Sequence, residues 1–246
     1  MPVFFIEQGQ VRDDAVKITG QLLRHLQGSL RVQPGEELVF IVPRLRRYRV
    51  RVDHIDSKSL VGLVLDDQPV PAVAGPQVVL AQSILKGERM DWLIQKATEL
   101  GAAQFVPIVS HHSVVRPRAD RVKNQQERWQ HIALEAAQQS ERCEIPDVEF
   151  PIEAEGFFTN HPTSDLRLIL SERSHGQSIS SLKLPAGRNE RVVVAVGPEG
   201  GWRVEELDLA GRCGFVPISL GSRILRAETA GLAALTLLQS RLGQLG

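Results

Sequence analysis

The chain has 246 residues, enough for one large or two modest domains, and its 42% hydrophobic content fills ordinary cores. Twenty-nine lysines and arginines balance 29 aspartates and glutamates, so total charge points to no polyanionic partner. No apolar run approaches the roughly 20 residues of a membrane span, which argues against a membrane partner.

The first residues, Met1-Pro2-Val3-Phe4-Phe5-Ile6-Glu7, carry neither a basic stretch nor a long apolar one, and the expected location is cytoplasmic. Early in the chain, Arg24, Arg31, Arg44, Arg46, Arg47, Arg49 and Arg51 face only Glu36 and Glu37 in sequence, a local excess of 7 − 2 = +5. Strands are predicted over residues 37–42, 47–55 and 60–65, with a turn over 43–46, in a small β-rich domain expected to close into a barrel. In the second strand Arg47, Arg49 and Arg51 alternate with Tyr48, Val50 and Val52, so the arginines should share an outward face. A solvated strand that blocks aggregation and a phosphate-contacting strand both fit this pattern. The lack of acids in the stripe favours phosphate. Residues 66–76, with three prolines and a glycine, read as a connector, and the boundary is placed near residue 72, giving domains 1–72 and 73–246.

Beyond it, apolar strands alternate with amphipathic helices. Strands are predicted over 78–84 and 105–109, separated by a helix whose Met90, Leu93, Ile94, Ala97 and Leu100 recur at helical spacing and which ends at Gly101. A second helix over 120–142 presents Trp129, Ile132, Ala133, Ala136 and Ala137 on one face. Strands follow over 166–170, 192–196 and 216–220, then a final helix over 227–242 with few polar positions, buried nearly all round or pressed against a partner. The alternation predicts an α/β domain with a mostly parallel sheet. Cys143 and Cys213 are far apart and unpaired in spacing, and His111-His112, placed on a strand, would point to opposite faces, so no metal site is expected.

Ligands bind outside the carboxyl ends of strands in such sheets, and two loops stand there. Gly197-Pro198-Glu199-Gly200-Gly201 follows the strand over 192–196. Its glycines open backbone conformations closed to other residues, but Glu199 and the lack of a lysine suit phosphate poorly. An uncharged or cationic ligand fits better, and a tight turn with no ligand fits the spacing too. The second loop, Leu220-Gly221-Ser222-Arg223-Ile224-Leu225-Arg226-Ala227-Glu228-Thr229-Ala230, offers apolar side chains and free backbone groups. Glu228 and Thr229 could equally complement the dipole of the last helix, with Arg226 paired to Glu228.

The order of these two loops resembles the cofactor-binding end of the trefoil-knot (SPOUT) methyltransferases, and in particular the 16S ribosomal RNA uracil-N3 methyltransferase family. The similarity extends to Lys86-Gly87-Glu88-Arg89-Met90-Asp91 through Gly101, to Arg128-Trp129 with Glu135 to Arg142, and to His25-Leu26 with Leu30 to Glu36. The chain departs from that pattern at His111-His112, at Arg203 where a helix-capping serine is common, and in the arginine-rich turn 43–47. The resemblance implies an N-terminal PUA-like β-barrel, a C-terminal knotted α/β domain, and an obligate homodimer. S-adenosylmethionine would be held by Leu170, Ser171, Gly197, Pro198, Glu199, Gly200, Gly201, Leu220, Gly221, Ile224, Leu225, Arg226, Glu228, Thr229 and Ala230. The implied substrate is 16S rRNA, within the assembled small ribosomal subunit.

Methyl transfer requires donor carbon and acceptor nitrogen to be held in line, and uracil N3 carries a proton at neutral pH. Glu199 is the candidate base or positioning carboxylate, and Arg226 the candidate stabiliser of charge on the uracil oxygens. Hydrogen bonds from Glu199 to its own loop, and contacts of Arg226 with a phosphate or Glu228, are the alternatives. Arg24, Arg31, Arg47, Arg49, Arg51, Lys86 and Arg116 are the expected RNA contacts. Another RNA target (transfer RNA or a ribose 2'-hydroxyl), or a non-catalytic RNA-binding assembly factor, are the competing functions.

Overall fold

The structure is a computed structural model and describes residues 3–72, 75–160, 165–171 and 176–246. The chain divides into two compact units, Met1–Ala72 with Ala137–Ile145, and Val73–Ala136 with Pro146–Gly246. Val73 and Ala74, within the expected connector, lie outside the described residues.

The first unit comprises β1 (Val3–Phe5), β2 (Val11–Arg12), β3 (Ala15–Ile18), α1 (Gly20–Gly28), β4 (Glu37–Val42), β5 (Arg46–Ile55) and β6 (Leu60–Pro69). They form one sheet in the order β1-β4-β5-β6-β3-β2. All pairs are antiparallel except β1 with β4. The expected barrel is not formed by this pairing: the edges β1 and β2, three and two residues long, do not join, and the sheet is open. One face packs Phe4, Ile18, Leu26, Phe40, Tyr48, Val50, Val52 and Leu60 into a core.

β6 runs four residues past its expected end, through residues read as connector. Asp66 and Asp67 look like turn residues in sequence, but they lie opposite Arg49 and Tyr48 in the ladder, and Asp67 pairs with Arg46. Cross-strand charge pairing keeps them in the sheet. The alternation expected along the arginine strand is observed, but acids meet it in space. Arg49 and Arg51 are exposed and Tyr48, Val50 and Val52 buried, but Arg47 pairs with Glu141 at 3.4 Å and Arg49 with Glu37 at 3.5 Å. Arg44 likewise pairs with Glu144 at 3.5 Å. Opposite Arg47 and Arg49 lie Ile41 and Val39, buried in a small cluster with Val3 that Cys143 flanks. Burial pushes the Cys143 thiol up, which keeps it unreactive.

The second unit contains β7 (Gln77–Ser83), α2 (Arg89–Glu99), β8 (Gln104–Val109), most of α3 (Val122–Gln139), β9 (Asp147–Val148), β10 (Ile152–Glu153), α4 (Ala154–Thr159), β11 (Leu166–Leu170), β12 (Gln177–Ser178), β13 (Arg191–Val196), α5 (Val204–Arg212), β14 (Val216–Ser219) and α6 (Ala227–Arg241). The sheet order is β10-β8-β7-β13-β11-β14-β12, with β9 beside β8, and every pair is parallel.

Helices cover both faces, which explains why these strands read as unbroken apolar runs. Val192 and Val194 of β13 join Leu80, Leu93, Ile94, Trp129, Leu235 and Leu238 on one side, while Val193 and Ala195 join Phe157, Phe158, Ala210 and Phe215 on the other. Each large side chain buried this way contributes about 1.5–3 kcal/mol. In α6 the buried positions are Ala227, Glu228, Gly231, Ala234, Leu235, Leu238 and Gln239, a single helical face, whereas Leu237 is 47% exposed. Within the chain itself, therefore, the last helix is not buried all round. Gly231 lets it approach closely, since a Cβ there would lie 2.9 Å from Gln82 Oε1 and 3.3 Å from Leu93 Cδ1.

Candidate active site

The carboxyl ends of β7, β13, β11 and β14 stand side by side, so the loops leaving them share one edge of the sheet. Leu170, Ser171, Leu220, Gly221, Ile224, Leu225 and Ala230 line a solvent-open cleft of about 410 Å³ at the ends of β11 and β14, with Ile218, Ser219, Ser222 and Arg223. Its walls combine leucine and isoleucine side chains with loop backbone. Gly221 sits at φ 109°, a conformation that favours glycine, and Ser219 Oγ accepts from Gly221 N at 3.3 Å.

Gly197, Pro198, Glu199, Gly200 and Gly201 lie beside this cleft at the end of β13 and are not among its lining residues. The loop is tied down from several elements. Trp202 packs on Gly197, where a Cβ would meet the indole at 3.2 Å, and donates from Nε1 to the Leu170 carbonyl at 3.1 Å. That indole rests on Phe158, ring centres 5.5 Å apart, in the aromatic cluster with Phe215. Gln82, fully buried at the end of β7, donates from Nε2 to the Gly197 carbonyl at 3.3 Å. His112 Nδ1 lies 3.1 Å from the Gly201 carbonyl, and a Cβ at Gly200 would lie 3.0 Å from the His112 Cβ, a tight contact. His111 and His112 occupy a turn past β8, not a strand, and their rings pack edge to face at 5.1 Å, which corrects the opposite-faces geometry. Among the described residues no group of three or more His, Cys, Asp or Glu is arranged to hold a metal ion.

Glu199 does not turn back on its own loop. Its carboxylate is 3.2 Å from Arg89 Nη1, the first residue of α2. The side chains are 29% and 46% exposed, so the pair contributes under about 1 kcal/mol to stability and opens readily to a competing partner. Arg226 is the exposed N-cap residue of α6 and forms no ion pair among the described residues. Glu228 is buried, its Oε2 has no partner, and the alternative pairing with Arg226 is not formed. Thr229 is exposed on the first turn. Glu228 is not among the residues that line the cleft. At Arg203, where the capping serine is missing, the N3 residue Glu206 accepts from Arg203 N at 2.8 Å and from His111 N at 2.9 Å, the reciprocal half of a capping box.

Of the expected RNA contacts, Arg24, Arg31, Arg51 and Lys86 are exposed. Arg116 reaches Glu153 at 3.4 Å and the Ser110 carbonyl at 3.2 Å. Sequence reasoning passed over Gln82 and Trp202. Gln82 had a legible signal, a lone amide inside an otherwise apolar strand.

An open parallel sheet with a ligand cleft outside its strand ends defines the class, and residues 74–239 match the family model described as RNA methyltransferase domain. The chain is 32% identical over 229 residues to ribosomal RNA small subunit methyltransferase E of Synechocystis sp., covering 92% of this chain and 73% of that protein. It is 29% identical to the Bacillus subtilis protein of the same name, covering 96% and 95%. The crystal structure of ribosomal RNA small subunit methyltransferase E from Neisseria gonorrhoeae bound to S-adenosyl methionine superposes with a TM-score of 0.88 at 30% identity, covering 98% of each chain. The chain belongs to the ribosomal RNA small subunit methyltransferase E family.

Proposed function

We propose that this protein is an S-adenosylmethionine-dependent methyltransferase that methylates N3 of a specific uridine in 16S rRNA of the small ribosomal subunit. The observation that carries the reading is the cleft at the ends of β11 and β14 in a chain of this family. The lining fits the cofactor: apolar walls at Leu170, Leu220 and Leu225 for an adenine, and free loop backbone for its edge. The Gly197 to Gly201 loop, Arg226 and Thr229 close the remaining sides. The first unit acts as a PUA-like RNA-binding domain and the second carries the knot. The cytoplasmic enzyme works as a homodimer in which a second copy covers the exposed Leu237.

When bound, the cofactor supplies an electrophilic methyl group on a sulfonium. Glu199 accepts the uracil N3 proton or fixes the base through it, and Arg226 faces the oxygens where negative charge grows. Glu199 would carry the proton away as N3 takes the methyl group that the bound cofactor would supply. Arg24, Arg31, Arg47, Arg49, Arg51, Lys86 and Arg116 contribute to RNA binding. Mass spectrometry of rRNA nucleosides from a strain lacking the gene tests the assignment. Loss of 3-methyluridine from 16S rRNA is expected, and loss of a transfer RNA or ribose methylation in its place would overturn it. Calorimetric titration with S-adenosylmethionine separates an enzyme from a non-catalytic assembly factor, which would not bind it.

A further inference from the structure

The cleft lies at the ends of β11 and β14, and the strand order supplies a second place where such sheets bind ligands. β7 and β13 are parallel neighbours, yet the chain leaves β7 through α2 toward β8 on one side and leaves β13 through α5 toward β14 on the other. Connections that diverge from adjacent strands open a crevice outside their carboxyl ends, the switch point where ligands of open sheets bind. Arg89, the first residue of α2, and Glu199, on the loop after β13, stand at this switch point 3.2 Å apart and partly exposed, and the buried Gln82 of β7 donates to the Gly197 carbonyl in the same loop.

We propose that the Arg89–Glu199 pair at this switch point is the acceptor subsite, reading the imide edge of the target uracil, so that Arg89 is a specificity residue for the reaction. This rests on the function proposed above. A uracil presents a donor, N3–H, flanked by two acceptors, O2 and O4. The pair presents a carboxylate acceptor next to a guanidinium donor, the complementary pattern at hydrogen-bond spacing. N3–H donates to Glu199 while Arg89 turns its N–H to the adjacent oxygen, and the opening of a partly exposed ion pair accompanies entry of the base. Uracil has a second such oxygen, so this leaves the role of Arg226 intact. An N3-methylated base lacks the donor and adds bulk against the carboxylate, which favours release of product.

The test is a double-mutant cycle of Arg89→Met and Glu199→Gln, with Arg89→Lys as the conservative variant. It is read by methyl transfer to small subunits and by binding of unmodified against 3-methylated subunits without cofactor. Arg89→Met should lower kcat/KM about tenfold or more, the factor expected for a lost charge-assisted hydrogen bond. The Kd for S-adenosylmethionine and the melting temperature should not move. Arg89→Lys should recover part of the loss, the two substitutions should be non-additive, and Arg89→Met should erase the preference for unmodified subunits. Additive losses, an equal loss of cofactor affinity, or kcat/KM within twofold of wild type would overturn the assignment. Failure of the wild-type protein to methylate any RNA would refute the proposed function instead, while the binding preference would still test the subsite.

Discussion

Replacing Gly221 by alanine adds one methyl group to a residue held at φ 109° in the wall of the cleft. No atom lies within 4 Å of where that Cβ would stand. Overlap therefore contributes nothing, and the whole penalty is conformational, about 1–3 kcal/mol for a side chain in such a region. Gly221 is exposed on a loop, so the unliganded chain relaxes at little cost. Ligand binding needs the observed backbone path, and the strain is transferred to affinity, a weakening of about 5- to 150-fold in Kd for S-adenosylmethionine. Calorimetric titration of Gly221→Ala beside the wild type measures this directly. Strain retained in the fold would instead lower Tm by about 2–4 °C per kcal/mol for a protein of this size. A Kd within twofold and an unchanged Tm together would refute the reasoning.

Arg191 and Asp165 form a two-point pair, 2.7 and 3.3 Å, with the Asp165 side chain 4% exposed. They sit at the amino ends of β13 and β11, away from the cleft, so Arg191→Met should destabilise the second unit by about 3 kcal/mol in urea unfolding while activity per folded molecule holds. In the turn between β5 and β6, Asp56 accepts from the backbone N–H groups of Lys58 and Ser59, which hold its pKa at about 2 against an ordinary 3.8. A lowered folded-state value stabilises above the ordinary one and is lost as pH falls through it. Asp56→Ala should therefore melt below the wild type at pH 5–7, with the difference fading between about pH 4 and 2. Arg51 is exposed without an ion pair among the described residues, whereas Arg47 is engaged by Glu141. Arg51→Ala should weaken RNA binding and reduce the salt slope by about 0.7–0.9, more than Arg47→Ala does, and an unchanged slope would return Arg51 to the status of a solvated charge.

Strands buried on both faces are legible as short, largely apolar runs bounded by turn residues, and β11 matches its expected span to the residue. The first unit was harder to read. Asp66 and Asp67 carry the local chemistry of a turn, and only their distant partners in β5 make them strand. The acids that meet the arginine excess were hidden for the same reason: Glu141 and Glu144 lie some 95 residues away in sequence and beside it in space. At the site, glycines and a proline announced the loops, and the cleft lining includes seven of the anticipated residues. What holds the loops was less visible. Trp202 acts through a carbonyl on another strand, and Arg89 meets Glu199 across 110 residues. The sheet order that brings these groups to one edge cannot be read from periodicity, which gives the face of a strand but not its neighbour.

Transfer of a labelled methyl group from S-adenosylmethionine to unmodified small ribosomal subunits and to free 16S rRNA, followed by mapping of the labelled nucleoside, tests the central claim. The account predicts label on N3 of a single uridine, greatly reduced by Glu199→Gln with little change in cofactor affinity. Label on a ribose hydroxyl or on another base, or no transfer to either RNA under conditions where the cofactor binds, would contradict it.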